Sequence, residues 1–246
     1  MASNVYDQAA ATGPPPLPIP KSALTIGAHP DDAEFGAGGT LARWIAEGCE
    51  VTMLITTDGS KGTWDPTIGA DELITQRQAE QRLAADALGG ANVVMLDHVD
   101  GELVHTRALT EQLCWWIRTV APSVVLSHDP WKKYMLHPDH RATGMAAIDA
   151  VVAARDHLFF PNQGLSKHRP DAVLLWSADD PDHVEDIAQT FDQKMRALLC
   201  HSTQGPTTMG DATAQDADAF VGRMRIWSES QSSSERPSEA FKRITP

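Results

Sequence analysis

Cysteine is scarce in this sequence: Cys49, Cys114 and Cys200 are scattered, odd in number and never spaced as CxxC. Neither a disulfide framework nor a thiolate metal site fits that pattern, and buried, reduced thiols do. Also absent is any run of about 18 apolar residues long enough to cross a bilayer. The opening MASNVYDQAAATGPPP lacks the charged start and apolar middle of a secretory signal, so a soluble, cytoplasmic protein is expected. Basic residues are in deficit, with 20 Lys and Arg against 33 Asp and Glu and a formal charge of −13. Nucleic-acid backbones and anionic membranes both recruit Lys and Arg, so neither is expected as a partner. A neutral or weakly charged small molecule suits the chain better.

The 246 residues, 42% of them hydrophobic, suffice for one sizeable α/β domain. Residues 13 to 20, GPPPLPIP, cannot form a helix or a central strand, because proline fixes φ and lacks a donor. Residues 1–20 are therefore read as a flexible N-terminal arm and residues 21–246 as a single domain. Short apolar runs then recur between turn signals: ALTIGA at 23 to 28, VTMLITT at 51 to 57, ANVVML at 91 to 96, SVVLS at 123 to 127 and DAVLLW at 171 to 176. None alternates, as expected of strands buried on both faces.

Helical spacing fills the gaps, in GGTLARWIAEG, ADELITQRQAEQRLAADALGG, LTEQLCWWIRTVAP and RATGMAAIDAVVAARDH. Strand and helix alternate, which predicts an α/β, Rossmann-like, mostly parallel sheet with helices on both faces and ligands beyond the carboxyl ends of its strands. From about residue 183, HVEDIAQTFDQKMRALLCH reads as a further helix, and SESQSSSERPSE reads as loop-like. TWDPTIGADE, after the second strand, is a long loop at the edge where a site would lie.

The first strand stops dead in HPDDAE. Adjacent aspartates repel, and local structure gives little reason for the pairing beyond capping the next helix. His29 and Asp32 are close enough to reach one ion, with Pro30 stiffening the bend. The fourth strand is followed by LHPDH, residues 136 to 140, a second His-Pro-Asp element that a parallel sheet brings to the same edge. His29, Asp32 and one of His137 or His140 then form a nitrogen and carboxylate set of the kind that holds zinc with a position open to water. Asp31, beside a ligand but not needed as one, is placed to take the water's proton. The remaining histidine of LHPDH can donate to a developing oxyanion, and Asp139 either orients a histidine or sits as a first-turn helix carboxylate.

AHPDDAEFGAGGTLA, LHPDH, QRQAEQRLAADALGG and LDHVDGEL together resemble the PIG-L/LmbE-like family of metal-dependent de-N-acetylases, over about residues 22 to 204. The resemblance implies zinc, or another divalent metal, on His29, Asp32 and His140. It implies Asp31 as general base and then acid, and His137 as the electrophilic partner. It further implies that Arg77 and Asp100 face the hydroxyl-bearing part of the substrate. Some sugar-deacetylating relatives have a tyrosine two residues before the first histidine of the second motif; here Met135 stands there and Tyr134 is its neighbour. LLCHSTQ is similar to a later His-Ser-x-Gln element of the family, which would bring His201 and Gln204 near the pocket.

FGAGGT is a poor dinucleotide fingerprint, since Leu41 replaces its third glycine; Gly36, Gly38 and Gly39 are read as letting a helix start close to the metal loop. Trp64 and Trp131 are candidates to stack on a sugar ring, whereas Trp115 and Trp116 read as core or interface. The expected activity is removal of an acetyl or related acyl group from an N-acylated amino sugar or glycoside-like small molecule. Its rivals are an amidase of a sugar-thiol conjugate and a non-catalytic Rossmann-type metal- or nucleotide-binding module, against which Asp31 beside a full ligand set counts. The sequence leaves the sugar, the acyl chain and homo-oligomerisation open.

Overall fold

The computed structural model describes residues 17–205, 207 and 217–246. Each of the five apolar runs forms a strand: β1 (Ser22–Gly27), β2 (Glu50–Thr57), β3 (Asn92–His98), β4 (Val124–His128) and β5 (Ala172–Trp176). They lie side by side as β3-β2-β1-β4-β5, and every neighbouring pair among them is parallel. Helices α1 (Asp32–Ala46), α2 (Ala70–Ala87), α3 (Arg107–Val120) and α4 (Pro138–Ala154) form the crossovers.

Successive strand residues point to opposite faces, and both faces are covered. Val51, Met53 and Ile55 join Leu41, Trp44 and Ala84 in one buried cluster, while Leu24, Ile26 and Leu54 join Leu113, Ala146 and Ala150 in the other. That two-sided burial is why the runs are continuously apolar. It puts α1 and α2 on one face of the sheet and α3 and α4 on the other. The chain leaves β1 toward β2 on one side and later returns to β4 on the other, so the strand order reverses beside β1. A cleft opens at the carboxyl end of such a switch point.

The second half departs from the expected pattern. The stretch from 183 begins as a strand, β6 (His183–Asp186), and helix α5 covers only Phe191–Leu198. HVED alternates in burial with its polar members inside: His183 and Glu185 are buried, with His183 Nε2 2.7 Å from Glu185 Oε1 and Arg43 also paired to Glu185. Period two carried by charged residues is easily mistaken for a solvated helix. The Ser-rich stretch closes helix α6 (Ala217–Glu229) and leads into strand β7 (Ser238–Ile244), neither of which the sequence reading contained. β7 runs antiparallel between β5 and β6, completing the order β3-β2-β1-β4-β5-β7-β6.

The buried Glu239 of β7 accepts the Gly39 and Thr40 N–H groups of α1 at 3.0 and 2.8 Å and pairs with the buried Lys194 of α5 at 2.6 Å. Two polar side chains therefore do work usually done by apolar ones, which hid both elements. The glycines of α1 also have a different role from the expected one. Helix α1 already begins at Asp32, and an added Cβ would stand 2.5 Å from Trp176 Cγ at Gly36 and 2.6 Å from Ile187 Cβ at Gly39. They permit close packing of β5 and of Ile187, just after β6, on the helix rather than an early start.

Of the expected arm, Leu17 and Ile19 pack against the first cluster and Pro20 is buried; residues 1–16 lie outside the described residues. All three cysteines are free, Cys49 and Cys114 buried and Cys200 half-buried. Trp116 packs against the second cluster, and Trp115 is 39% exposed. Among the described residues no helix is long and apolar enough to cross a membrane.

Candidate metal centre and active-site cavity

β1 ends at Gly27, and the AHPDD segment turns over the centre of the sheet into α1. The two aspartates of that turn do different things. Asp31 occupies the N-cap position with φ 96° and ψ −25°, and its side chain makes no capping hydrogen bond. Non-glycine residues avoid this left-handed region at a cost of about 1–3 kcal/mol, so the surrounding turn must hold it there. Asp32 folds back instead: its Oδ2 accepts the N–H groups of Ala28 at 2.9 Å and His29 at 2.8 Å. Capping thus explains neither carboxylate.

His29 Nδ1 lies 3.2 Å from His140 Nε2 and 3.6 Å from Asp32 Oδ2, and His140 Nε2 lies 3.3 Å from Asp32 Oδ1. Three ligands around a tetrahedral zinc at about 2.0–2.1 Å stand roughly 3.4 Å apart, and His140 Nε2 lies near that spacing from both His29 Nδ1 and Asp32 Oδ1. The other nitrogen of His29 is already oriented: Nε2 is 3.1 Å from Asp100 Oδ1 and 3.2 Å from Asp139 Oδ2. Asp139 is fixed in turn by the N–H groups of Gly101 at 2.6 Å and Leu103 at 3.1 Å. It sits in the first turn of α4, yet its oxygens serve the metal loop and the turn after β3, an arrangement that makes a ligand more basic and fixes its ring.

His128, the last residue of β4, was not singled out in the sequence. The indole N–H of Trp176 can only donate, and it lies 3.0 Å from His128 Nδ1. His128 therefore carries its hydrogen on Nε2, which is 3.0 Å from Asp32 Oδ2. Oδ2 of Asp32 is saturated by three donors, and Oδ1, 3.3 Å from His140 Nε2, is the oxygen left for a further partner. Although Asp32, His128 and His140 lie close enough to share an ion, the fixed tautomer makes His128 a donor to Asp32 rather than a ligand. Its one signal in the sequence is its place at the carboxyl end of an apolar strand. His137 caps α4, its Nδ1 accepting the Asp139 N–H at 3.3 Å, and its ring stands edge-on to His29 with centroids 4.5 Å apart.

Charge is sorted accordingly. Burial pushes the Asp31 carboxyl up to about 6, against the pull of Arg77. Burial would also raise Asp32, but His140 and His128 outweigh it and hold that carboxyl well below its usual range. Asp100, despite burial, is drawn down to about 2, chiefly by its hydrogen bond with His29. Burial lowers His137, and the neighbouring His29 and His140 lower it further. Two adjacent aspartates thus have opposite proton affinities, the division of labour expected of a proton carrier beside a ligand.

Behind Asp31 lies a buried group that the sequence reading left outside its candidate set or missed. Gln81 Oε1 accepts the Asp31 N–H at 3.2 Å and its Nε2 donates to Glu34 Oε1 at 2.6 Å, with His201 Nε2 3.5 Å from the same oxygen. Arg77, 2% exposed, donates to the carbonyls of Pro30 at 2.7 Å and Gly59 at 3.1 Å and approaches Asp31 Oδ2 at 3.8 Å. Asp31 and Arg77 line a cavity of about 870 Å³ together with His29, Asp32, His137, His140, Asp100 and Gln204. Trp64 of the long loop and Met135 line it too, whereas Trp131 is not among the lining residues and Tyr134 is 82% exposed.

The sequence model of the PIG-L family, described as GlcNAc-PI de-N-acetylase, matches residues 24–151. A diacetylchitobiose deacetylase from Thermococcus kodakarensis is 36% identical over 189 residues, which cover 76% of this chain and 71% of that protein. The chain belongs to the PIG-L family. A probable N-acetyl-α-D-glucosaminyl L-malate deacetylase 2 from Bacillus cereus is 30% identical over 78% of this chain and 87% of that one. In three dimensions the chain is similar to an N,N′-diacetylchitobiose deacetylase from Pyrococcus horikoshii in complex with its inhibitor MPG, with TM-score 0.82 and 29% identity over 92% of this chain and 84% of that one. The PIG-L match includes both His-Pro-Asp elements and stops before β5, so Trp176, His201, α6 and β7 lie outside it.

Proposed function

We propose that this PIG-L protein is a zinc-dependent de-N-acetylase that removes an acetyl or related acyl group from an amino sugar or glycoside-like small molecule. The observation that carries the reading is the uncapped Asp31 carboxyl, held in a strained turn beside a three-donor set at the floor of an open cavity. His29, Asp32 and His140 would hold the ion, whose chemistry there is to polarise the amide carbonyl and acidify a water. The two-nitrogen, one-oxygen set suits zinc and leaves a position for that water.

Asp31 takes the proton of the attacking water and returns it to the departing amine. A carboxyl pushed up to about 6 by burial is matched to both steps near neutral pH. His137 has Nδ1 committed to the Asp139 N–H, so its Nε2 hydrogen is the one available to the carbonyl oxygen as negative charge develops. Arg77 and Asp100, on the wall beside Asp31, supply a donor and an acceptor for substrate hydroxyls. Residues 21–246 are proposed to act as one unit.

The test is acetate release from N,N′-diacetylchitobiose and N-acetylglucosamine derivatives by protein of known metal content. Turnover should vanish on chelation and return with zinc. Failure of the zinc-loaded protein to release acetate from any N-acetylated amino sugar would overturn the reading.

A further inference from the structure

The cavity has two unlike walls that meet at the metal-ligand set. The loop after β2, α2 and the turn after β3 contribute Lys61, Arg77 and Asp100. The opposite wall comes from α1, the end of β5, α6 and β7, and presents Phe35, Trp176, Met224, Trp227 and Ala240. Beyond Asp32, no charged side chain among the described residues lines that second wall, whose polar members are Ser177 and Gln231.

The apolar wall is built in advance. Gly36 lacks a Cβ, which lets the Trp176 ring lie directly on α1, where an added Cβ would meet Trp176 Cγ at 2.5 Å. The Lys194 ammonium donates to the Phe35 carbonyl at 2.8 Å and sits 5.4 Å from the centre of the Trp227 ring. Phe35 also packs edge-on against Phe220, with centroids 6.3 Å apart. Trp227 stays 40% exposed at the cavity, although an aromatic ring gains by being covered.

A sugar stacked on these rings finds only Ser177 and Gln231 on the wall for its hydroxyls, whereas an alkyl chain has no polar group to satisfy. The scissile amide has to lie at His29, Asp31 and His140, where the walls join. Its two ends then face different surroundings: the hydroxyl-bearing amine suits Arg77 and Asp100, and the acyl end suits the apolar wall.

We propose that Phe35, Trp176, Met224, Trp227 and Ala240 form an acyl-chain subsite, and that the preferred substrates carry an N-acyl group longer than acetyl. The proposal rests on the amide-hydrolase reading above and specifies its substrate class. The chemistry balances as ordinary hydrolysis: the C–N bond breaks, water delivers OH to the acyl carbon and H to the nitrogen, and a medium-chain carboxylic acid and the free amine are released.

The experiment compares N-acetyl-, N-butanoyl- and N-octanoylglucosamine, with the octyl glycoside of N-acetylglucosamine as a control for the other end of the substrate. kcat/KM of the zinc-loaded protein is measured for each, and calorimetric binding to the metal-free protein is measured in parallel. Each buried methylene is worth about four-fold, so N-butanoyl should exceed N-acetyl by roughly ten-fold or more. Ala240→Phe, which fills the wall, and Met224→Glu, which charges it, should each lower the octanoyl-to-acetyl ratio by about ten-fold or more. Two variants of opposite character guard against loss of fold in one.

Acetyl hydrolysed as well as the longer chains would overturn the subsite and leave the deacetylase reading intact. The octyl glycoside preferred over N-octanoylglucosamine would overturn it as well, by assigning the wall to the amine end. If no compound is hydrolysed, the hydrolase reading falls, and the calorimetry decides the subsite separately. N-octanoylglucosamine binding tighter than N-acetylglucosamine, with the difference lost in both variants, supports it; equal binding overturns it.

Discussion

Trp176 and His128 are joined by a hydrogen bond of fixed direction, indole N–H to imidazole Nδ1 across 3.0 Å, at the point where the cavity wall meets the metal site. The imidazole passes that direction on to Asp32 Oδ2, also at 3.0 Å. A side chain of the cavity wall therefore decides which oxygen of Asp32, a proposed metal ligand, stays free.

Replacing that indole should loosen the metal. In Trp176→Phe the His128 ring loses the donor that fixes its tautomer, and Asp32 loses an obligatory partner. Outer partners of this kind are worth about 10–100-fold in affinity, and a loss of that size is expected for zinc. Competition with a chromophoric chelator measures it, and an unchanged dissociation constant would refute the relay.

Asp31→Asn should separate metal binding from turnover. The amide cannot carry the proton, so kcat is expected to fall about 10²–10⁴-fold while the protein still takes up one equivalent of zinc. Full turnover at normal zinc content would remove Asp31 from its proposed role.

The same substitution makes a prediction about stability in the metal-free protein. Burial pushes the folded Asp31 carboxyl up to about 6 from an ordinary 3.8, so below pH 4 it is neutral whether folded or unfolded and carries no penalty. As the pH rises from about 4 to 6 the unfolded chain ionises first, and the native state loses up to about 3 kcal/mol, fully lost above pH 6. Asn has no such penalty. Thermal melts should therefore show the advantage of Asp31→Asn over the parent growing between pH 4 and pH 7, and a difference independent of pH would contradict the burial argument.

Gly144 tests how tightly the second motif is seated. An added Cβ there would stand 2.7 Å from the backbone oxygen of His128, which cannot swing aside as a side chain can. α4 has to move off β4 and take His140 with it. Gly144→Ala is expected to lower stability by about 1–3 kcal/mol in urea unfolding and to weaken zinc binding, whereas equal stability would show that the helix has room.

The five parallel strands and their crossovers were legible because both faces of that sheet are buried, which writes each strand as an unbroken apolar run. That His29, Asp32 and His140 lie together was legible because a parallel sheet gathers the ends of its strands at one edge. The antiparallel extension was not, since β6 and β7 bury His183, Glu185 and Glu239 where apolar residues are expected, and much of what makes that burial tolerable is distant in sequence: Gly39 and Thr40 for Glu239 and Arg43 for Glu185. His128 was hidden for a related reason. Its role depends on Trp176, 48 residues further on, and no local pattern ties a strand-terminal histidine to a distant indole.

The position of β7 fixes an order of events as the chain is made. β5 keeps an open hydrogen-bonding edge, and β6 has no other strand partner among the described residues, until the ribosome has released Ser238–Ile244 to slip between them. Lys194 likewise waits for Glu239 to neutralise it. A nascent protein thus gathers its histidines and aspartates early while the aromatic side of the pocket stays unbuttressed, so the proposed metal site can form before the proposed acyl surface is complete.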